Sequence, residues 1–211
     1  MQCNRIAKGG GVPKLVDHEE RRRALAEAVF SVIGQRGFEA VSLRDVAAEA
    51  GVSMGSVQHY FRSKDDMLLF ALTHMRTRVA ARLQTSLARL SRPGRRDLIR
   101  AAFGVLLPVD EPSRQEARVN LAFVAAATVR PAYADMLRQG YERLLAASRS
   151  QLQEAASDGE LASGIDPEQE AAALYFLAQG LVGPLLIGLF TPAQAFAILD
   201  HQLDRIFGAA C

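Results

Sequence analysis

Apolar residues recur at three- and four-residue intervals along most of this chain, and no segment alternates convincingly as a strand would. The pattern predicts an all-α protein. A first helix is expected from about Glu19 to Arg36, capped at Asp17, with Leu25, Val29, Val32 and Ile33 facing inward and Gly37 ending it. A second, short helix follows Ser42, with an apolar stripe of Leu43, Val46, Ala47 and Ala50. Ser42 and Asp45 have the spacing of a capping box, in which hydroxyl and carboxylate satisfy amides left free at a helix start. Gly51 supplies a sharp turn, and Ser53 caps a third helix. At about 100° per residue, Met54, Val57 and Phe61 fall on one narrow face of it. Gly55, Ser56, Gln58 and His59 point the other way, with Tyr60 at the edge between the two.

Ser63 and Asp66 start a long helix from Lys64 to about Leu90, which Arg92-Pro-Gly94 breaks. Later punctuation at residues 108–112, Pro131, residues 157–167, Pro184 and Pro192 marks out about five further helices.

Two short capped helices joined at a glycine turn match a helix-turn-helix, which lays its second helix in a major groove about 12 Å wide. The outward face of that helix bears small and hydrogen-bonding groups and no carboxylate, so it suits phosphates and base edges. The same spacing also occurs in proteins that never touch DNA, and the wider chain must weigh in. Net charge is only +2. Its distribution is uneven, however: residues 1–90 hold 14 Lys plus Arg against 9 Asp plus Glu, a net of +5, while residues 91–211 hold 11 against 14, a net of −3. All three lysines, Lys8, Lys14 and Lys64, lie in the basic part, which would attract a phosphate backbone at long range. Residues 1–16, with Gly9-Gly-Gly11 and Pro13, are expected to form a flexible basic arm.

The residues around this unit resemble the DNA-binding domain of the TetR (tetracycline repressor-like) transcriptional regulators over roughly residues 17–70. The carriers are the run from Gly37 to Ala47, the Ala-Gly-Val-Ser turn from Ala50 to Ser53, and Tyr-Phe-Arg-Ser-Lys-Asp-Asp-Met-Leu from Tyr60 to Leu68. The wording Gly55-Ser-Val-Gln-His-Tyr-Phe61 is similar to the choline-responsive, BetI-like branch, although Gln58 stands where the family more often has an aromatic residue. The resemblance implies a helix-turn-helix DNA-binding domain over residues 17–63 and a larger helical ligand-binding and dimerisation domain over residues 64–211. It implies a cytoplasmic repressor, released from a palindromic operator in double-stranded DNA by a small-molecule effector, and dimerised through its last two long helices, about Glu168 to Leu189 and Ala193 to Phe207.

Carried over residue by residue, the resemblance assigns Ser42, Tyr60 and Lys64 to phosphates and Arg44 to a phosphate or a base edge. Ser53, Met54, Gly55, Ser56, Gln58 and His59 fall to the rest of the DNA surface. Gln58 is the candidate for base discrimination, since glutamine can pair bidentately with adenine. An apolar and aromatic set with a few polar groups, Phe103, Leu107, Asn120, Phe123, Tyr141, Tyr175 and Gln179, is the candidate effector pocket. The BetI-like wording brings a quaternary ammonium among the effector candidates.

Composition agrees with a substantial buried core: 49% of residues are hydrophobic, over a length of 211. The longest apolar stretch, Leu174 to Phe190, is interrupted by Gln179, three glycines and Pro184, so no membrane span is expected. The strongly apolar last helices must be covered by a core, a subunit interface or a ligand. Gly180, Gly183 and Gly188 would either let two helices approach closely or merely loosen the chain around Pro184. Cys3 and Cys211 sit at the two ends, and His18, His59, His74 and His201 form no cluster, so neither a disulfide nor a metal site is expected. No cofactor is expected. An enzyme is the alternative class, with Glu116, Asp135 and Glu142 as available carboxylates. No nucleophile elbow, P-loop, dinucleotide fingerprint or His-Glu-x-x-His motif is present, and such charges are usually a solvated helix face.

Overall fold

The computed structural model describes residues 13–208, with side chains from residue 18 onward. Among the described residues the chain forms helices and no strand. Helix α1 spans Pro13–Arg36, α2 Leu43–Glu49, α3 Met54–Tyr60, α4 Lys64–Ala88 and α5 Arg95–Gly104. It continues with α6 Glu111–Ala127, α7 Pro131–Ser157, α8 Pro167–Leu186 and α9 Pro192–Phe207. Residues 1–12 of the expected arm lie outside the described residues. Its last part is helical: α1 begins at Pro13, two turns ahead of Glu19, and Asp17 lies inside it rather than capping it. Proline is well suited to a first helical position, where its missing N–H has no partner to lose and its φ is already helical.

The same physics changes the reading of the later prolines. Pro112, Pro131, Pro167 and Pro192 do not simply interrupt helices but sit in the first turns of α6, α7, α8 and α9. Pro184 is different, lying inside α8 a few residues before its end. Gly188 then adopts φ +77, so α8 ends at Leu186, short of Leu189, and this glycine belongs to a turn.

Leu25, Val29, Val32 and Ile33 of α1 are buried as their spacing requires, together with Val46 and Ala47 of α2, Val57 of α3 and Phe61. The core they form continues beyond residue 63. It takes in Met67, Leu68, Ala71, Leu72 and Met75 from the first half of α4, Val119, Phe123 and Ala126 from α6, and Tyr133 and Leu137 from α7. Phe38, in the loop after α1, meets the Phe123 ring edge-on at 5.2 Å and the Tyr133 ring at 6.0 Å. A second core joins α5, α7, α8 and α9 around Phe103, Leu152, Leu174, Leu185 and Leu199. Helix α4 therefore serves the amino-terminal core with its first half and the larger bundle with its second.

Because Phe123 is fully buried where the two parts of the chain meet, Phe123→Ala is expected to cost about 3 to 5 kcal/mol of unfolding free energy by urea titration. A loss under about 1 kcal/mol would mean that this aromatic contact does not hold the parts together.

Candidate DNA-reading head and ligand cavity

The reading head is built by its caps. The Ser42 hydroxyl accepts from the Asp45 amide at 3.2 Å and donates to the Asp45 carboxylate. That carboxylate turns to the hydroxyl and to Arg36, 3.1 Å away, instead of closing the box on the Ser42 amide. The Ser42 hydroxyl bond, reinforced by Arg36, holds the Asp45 carboxyl below the usual carboxylate range. Gly51 sits at φ +66, and Val52 N–H reaches back 2.9 Å to the Ala47 carbonyl, closing α2 with a glycine cap. Ser53 then accepts from the Ser56 amide at 3.1 Å and opens α3. Ser63 does the same for α4 through Asp66 at 3.0 Å.

Val57 and Phe61 face inward as expected, but Met54 does not: at 40% exposure it joins the outward surface with Gly55, Gln58 and His59. The reason is the length of α3. Met54 is the first residue of a seven-residue helix, so it stands at the end of the packed stripe. Tyr60 is held from behind, its ring 4.8 Å from His18 of α1 and 5.1 Å from His59. Arg22 of α1 lies over the Phe70 ring at 4.1 Å and the Phe61 ring at 5.2 Å, tying α1 to the start of α4. Arg44, on α2, is exposed, and Lys64, the first residue of α4, is half-buried.

Charged side chains connect this head to the larger bundle. On α1, Glu27 takes His74 at 2.7 Å and Arg78 at 2.6 Å, both from α4. Arg78 Nε also lies 2.9 Å from Glu116 of α6, and Arg82 pairs with the other Glu116 oxygen. Glu116 is only 3% exposed. At the foot of α4, the Tyr133 hydroxyl of α7 donates to the Asp65 carboxylate.

The second half of α4 forms one wall of a cavity of about 690 Å³, bounded also by α5, α6, α7 and α8 and open to solvent on one side. Four of the expected pocket residues, Asn120, Tyr141, Tyr175 and Gln179, line it. The Tyr141 and Tyr175 rings are 5.3 Å apart, the Tyr141 hydroxyl donates to Asn120 Oδ1 at 3.4 Å, and Gln179 donates to the Tyr175 hydroxyl at 3.1 Å. Burial, with a smaller contribution from Tyr141, pushes the Tyr175 phenol up to about 12, and burial raises Tyr141 too.

Phe103, Leu107 and Phe123 do not line this cavity. Phe103 belongs to the second core, Phe123 to the aromatic contact with Phe38, and Leu107 to a neighbouring cleft of about 550 Å³. An aromatic at helical spacing signals an inward face and does not distinguish packing from a wall. The residues missed at sequence level are the charged ones, Arg76, Arg82 and Glu116 on the cavity and Glu27, His74 and Arg78 behind it. A signal existed: Ser113, Glu116, Asn120 and Phe123 fall on one face of α6, so a carboxylate on that face had to be paired. Among the described residues no group of His, Cys, Asp and Glu could hold a metal ion.

Residues 25–70 match the family model described as bacterial regulatory proteins, tetR family, and residues 93–208 match that of the BetI-type transcriptional repressor C-terminal region. The chain belongs to the TetR family. It is an HTH-type transcriptional regulator. The HTH-type transcriptional regulator PksA of Bacillus subtilis (strain 168) is 32% identical over 170 residues, which is 81% of this chain and 80% of that protein. BetI of Brucella anthropi is 35% identical over 85 residues, 40% of this chain and 44% of that protein. A transcriptional regulator from Rhodococcus sp. Rha1 superposes with a TM-score of 0.76 at 32% identity, over 88% of this chain and 95% of that one. A regulator from Saccharomonospora viridis, solved in complex with choline, shares the fold at a TM-score of 0.80 and 24% identity, over 89% of this chain and 98% of that one. For this TetR-family chain, no helix among the described residues is long and apolar enough to cross a membrane.

Burial also pushes the Tyr133 phenol up to about 12, aided by its bond to Asp65. Both Tyr133 and Tyr175 start from an ordinary value of 10.0, so the unfolded chain loses these protons first. Their contribution to stability is therefore intact below pH 10.0 and lost as pH rises toward about 12. An ultraviolet titration of native protein should show a phenolate component near pH 12 that Tyr175→Phe diminishes; full ionisation near pH 10 in the folded state would contradict this.

Proposed function

We propose that this regulator is a homodimeric repressor that a small molecule, seated in the 690 Å³ cavity, releases from a palindromic operator. The observation that carries the reading is the continuity of α4. One uninterrupted helix runs from Lys64, beside the reading helix, to Met75, Arg76, Val79 and Leu83 on the cavity wall. A ligand that repositions the wall repositions the head. Choline bound to the Saccharomonospora viridis regulator supports a small-molecule site in this fold. For tenfold release the ligand must favour the DNA-incompatible arrangement by about 1.4 kcal/mol.

The proposed DNA surface comprises Ser42, Arg44, Ser53, Met54, Gly55, Ser56, Gln58, His59, Tyr60 and Lys64. Phosphates fall to Ser42, Tyr60 and Lys64, a phosphate or base edge to Arg44, and base discrimination to Gln58. Ser42's hydroxyl proton is committed to Asp45 in the free protein, so its contact requires either a switch of that bond or the backbone amide. The proposed division keeps residues 17–63 as the head and residues 64–211 as the ligand-binding and dimerisation part, with their cores continuous.

Dimerisation is assigned to α8 and α9. Phe176, Ile187 and Leu189 are 69%, 80% and 66% exposed on α8 and the turn after it, and a side chain at Gly180 or Gly183 would meet nothing within 4 Å. An apolar face with room for close helix approach fits a symmetry mate. Two heads about 34 Å apart would then read successive major-groove faces of a palindrome.

Selection of duplexes from a random library should yield a palindrome bound at least about a thousandfold better than scrambled DNA. Gln58→Ala should relax one position of it by about 1 to 3 kcal/mol, whereas Lys64→Ala should weaken all sequences alike and reduce the salt slope by about one. Phe176→Asp should give monomers by sedimentation and lose about a hundredfold or more in operator affinity. Recovery of no consensus, or unchanged dimers from Phe176→Asp, would contradict the corresponding assignment.

A further inference from the structure

The cavity wall carries Arg76, Arg82, Arg143 and Glu116 as its charged residues, a formal balance of three positive groups against one negative. The single carboxylate is ion-paired on both oxygens, though only the oxygen facing Arg82 accepts a hydrogen bond. Arg78 Nε lies 2.9 Å from one Glu116 oxygen and Arg82 pairs with the other, while a second Arg82 nitrogen donates to the Val105 carbonyl at 3.0 Å. A cationic ligand would have to break those pairs to use Glu116, and would meet an excess of positive charge.

Arg76 is the opposite case. It is half-buried, forms no ion pair among the described residues, and spends one N–H on the Met136 carbonyl at a long 3.3 Å. Gly140 of α7 makes room for it: a Cβ there would lie 3.3 Å from Arg76 Cζ, 3.4 Å from Nε and 3.5 Å from Nη2. The guanidinium thus lies flat against α7 with most of its donors unspent, at a wall shared with Tyr141 and Asn120. The Tyr175 hydroxyl accepts from Gln179 at 3.1 Å and is turned to the Tyr141 hydroxyl, so the two phenols form one hydrogen-bonded pair on this wall. Val79, Leu83, Leu98, Leu106, Leu144 and Val182 give the wall an apolar stretch, beside polar groups that include Thr77, Ser148 and Gln151.

We infer that the effector is an amphipathic organic acid, its carboxylate gripped by Arg76 and its apolar body lying among the leucine and valine side chains. A planar guanidinium matches a carboxylate bidentately, and a charge-assisted pair of this kind is stronger than a neutral hydrogen bond. This deepens the proposed effector role and rests on it. Such a ligand is opposite in charge to the choline bound by the regulator of the same fold, and a cation on this wall would meet three arginines against one ion-paired carboxylate.

Calorimetric titration with three probes of one chain length tests the inference: dodecanoate, dodecan-1-ol and dodecyltrimethylammonium, each below its micelle concentration, on the full chain and on Arg76→Met and Arg76→Lys. Dodecanoate should bind at least about tenfold more tightly than the alcohol, the increment of one hydrogen-bonded charge. The cation should bind most weakly. Arg76→Met should erase the preference for the acid while leaving the alcohol unchanged, and Arg76→Lys should keep much of it. No binding of dodecanoate, no advantage over the alcohol, tightest binding of the cation, or an unaffected Arg76→Met overturns the inference. Binding of ligand-free protein and of each variant to the selected operator, measured in parallel, reports on the head alone. Operator binding with no acid preference sinks only the ligand class, whereas absent operator binding sinks the regulator reading whatever the cavity prefers.

Discussion

The buried carboxylate of Glu116 is the constraint around which the molecule is arranged. At 3% exposure it cannot stand unpaired, and its partners Arg78 and Arg82 both come from α4. Removing one member of such a buried set typically costs about 3 to 5 kcal/mol, because the remaining charge is left without hydration or partner. The pairs fix the rotation and height of α4 against α6. Arg78 simultaneously reaches Glu27 of α1, which also holds His74. One helix is thereby pinned to the amino-terminal head on one side and to the cavity-forming bundle on the other.

That arrangement leaves few independent motions. The first half of α4 is buried in the core it shares with α1, α2 and α3, and the second half is cavity wall. Packed interiors deform poorly and shift between discrete arrangements, so under the proposed function a ligand bearing on the wall would act on α4 as a body. Phe38, Phe123 and Tyr133 form a second strut, with Tyr133 bonded to Asp65 at the foot of α4. Two struts on one helix, one ionic and one aromatic, supply the physical path that coupling between cavity and head requires.

Local chemistry made the head legible in the chain. Ser42, Ser53 and Ser63 act over distances of three residues, and Gly51 answers a purely local demand for positive φ. The caps were therefore readable before any tertiary contact was known, and the helix order with them. The helical wheel puts Met54 on the packed face, whereas the structure exposes it, because a seven-residue helix has ends that a wheel ignores. The cavity was only half legible. Asn120, Tyr141, Tyr175 and Gln179 betray themselves as polar or amphipathic groups on inward faces. Phe103 and Phe123 carry the same periodic signal yet fill cores, since periodicity reports burial and not what lies beyond the side chain. Glu116 reads in sequence as part of a solvated face, and only the fold reveals that two arginines of α4 pair with it and that Gly140 accommodates a third.

Linkage is reciprocal: if the cavity wall governs the head, DNA on the head must govern the wall. Hydrogen exchange, measured with and without the selected operator and no ligand present, tests this most directly. The account predicts slowed exchange in α3 and along α4 past Met75 to Leu83, together with the Glu116 segment of α6. Protection confined to α2, α3 and the first turns of α4, with the cavity-lining half of α4 unchanged, would contradict it.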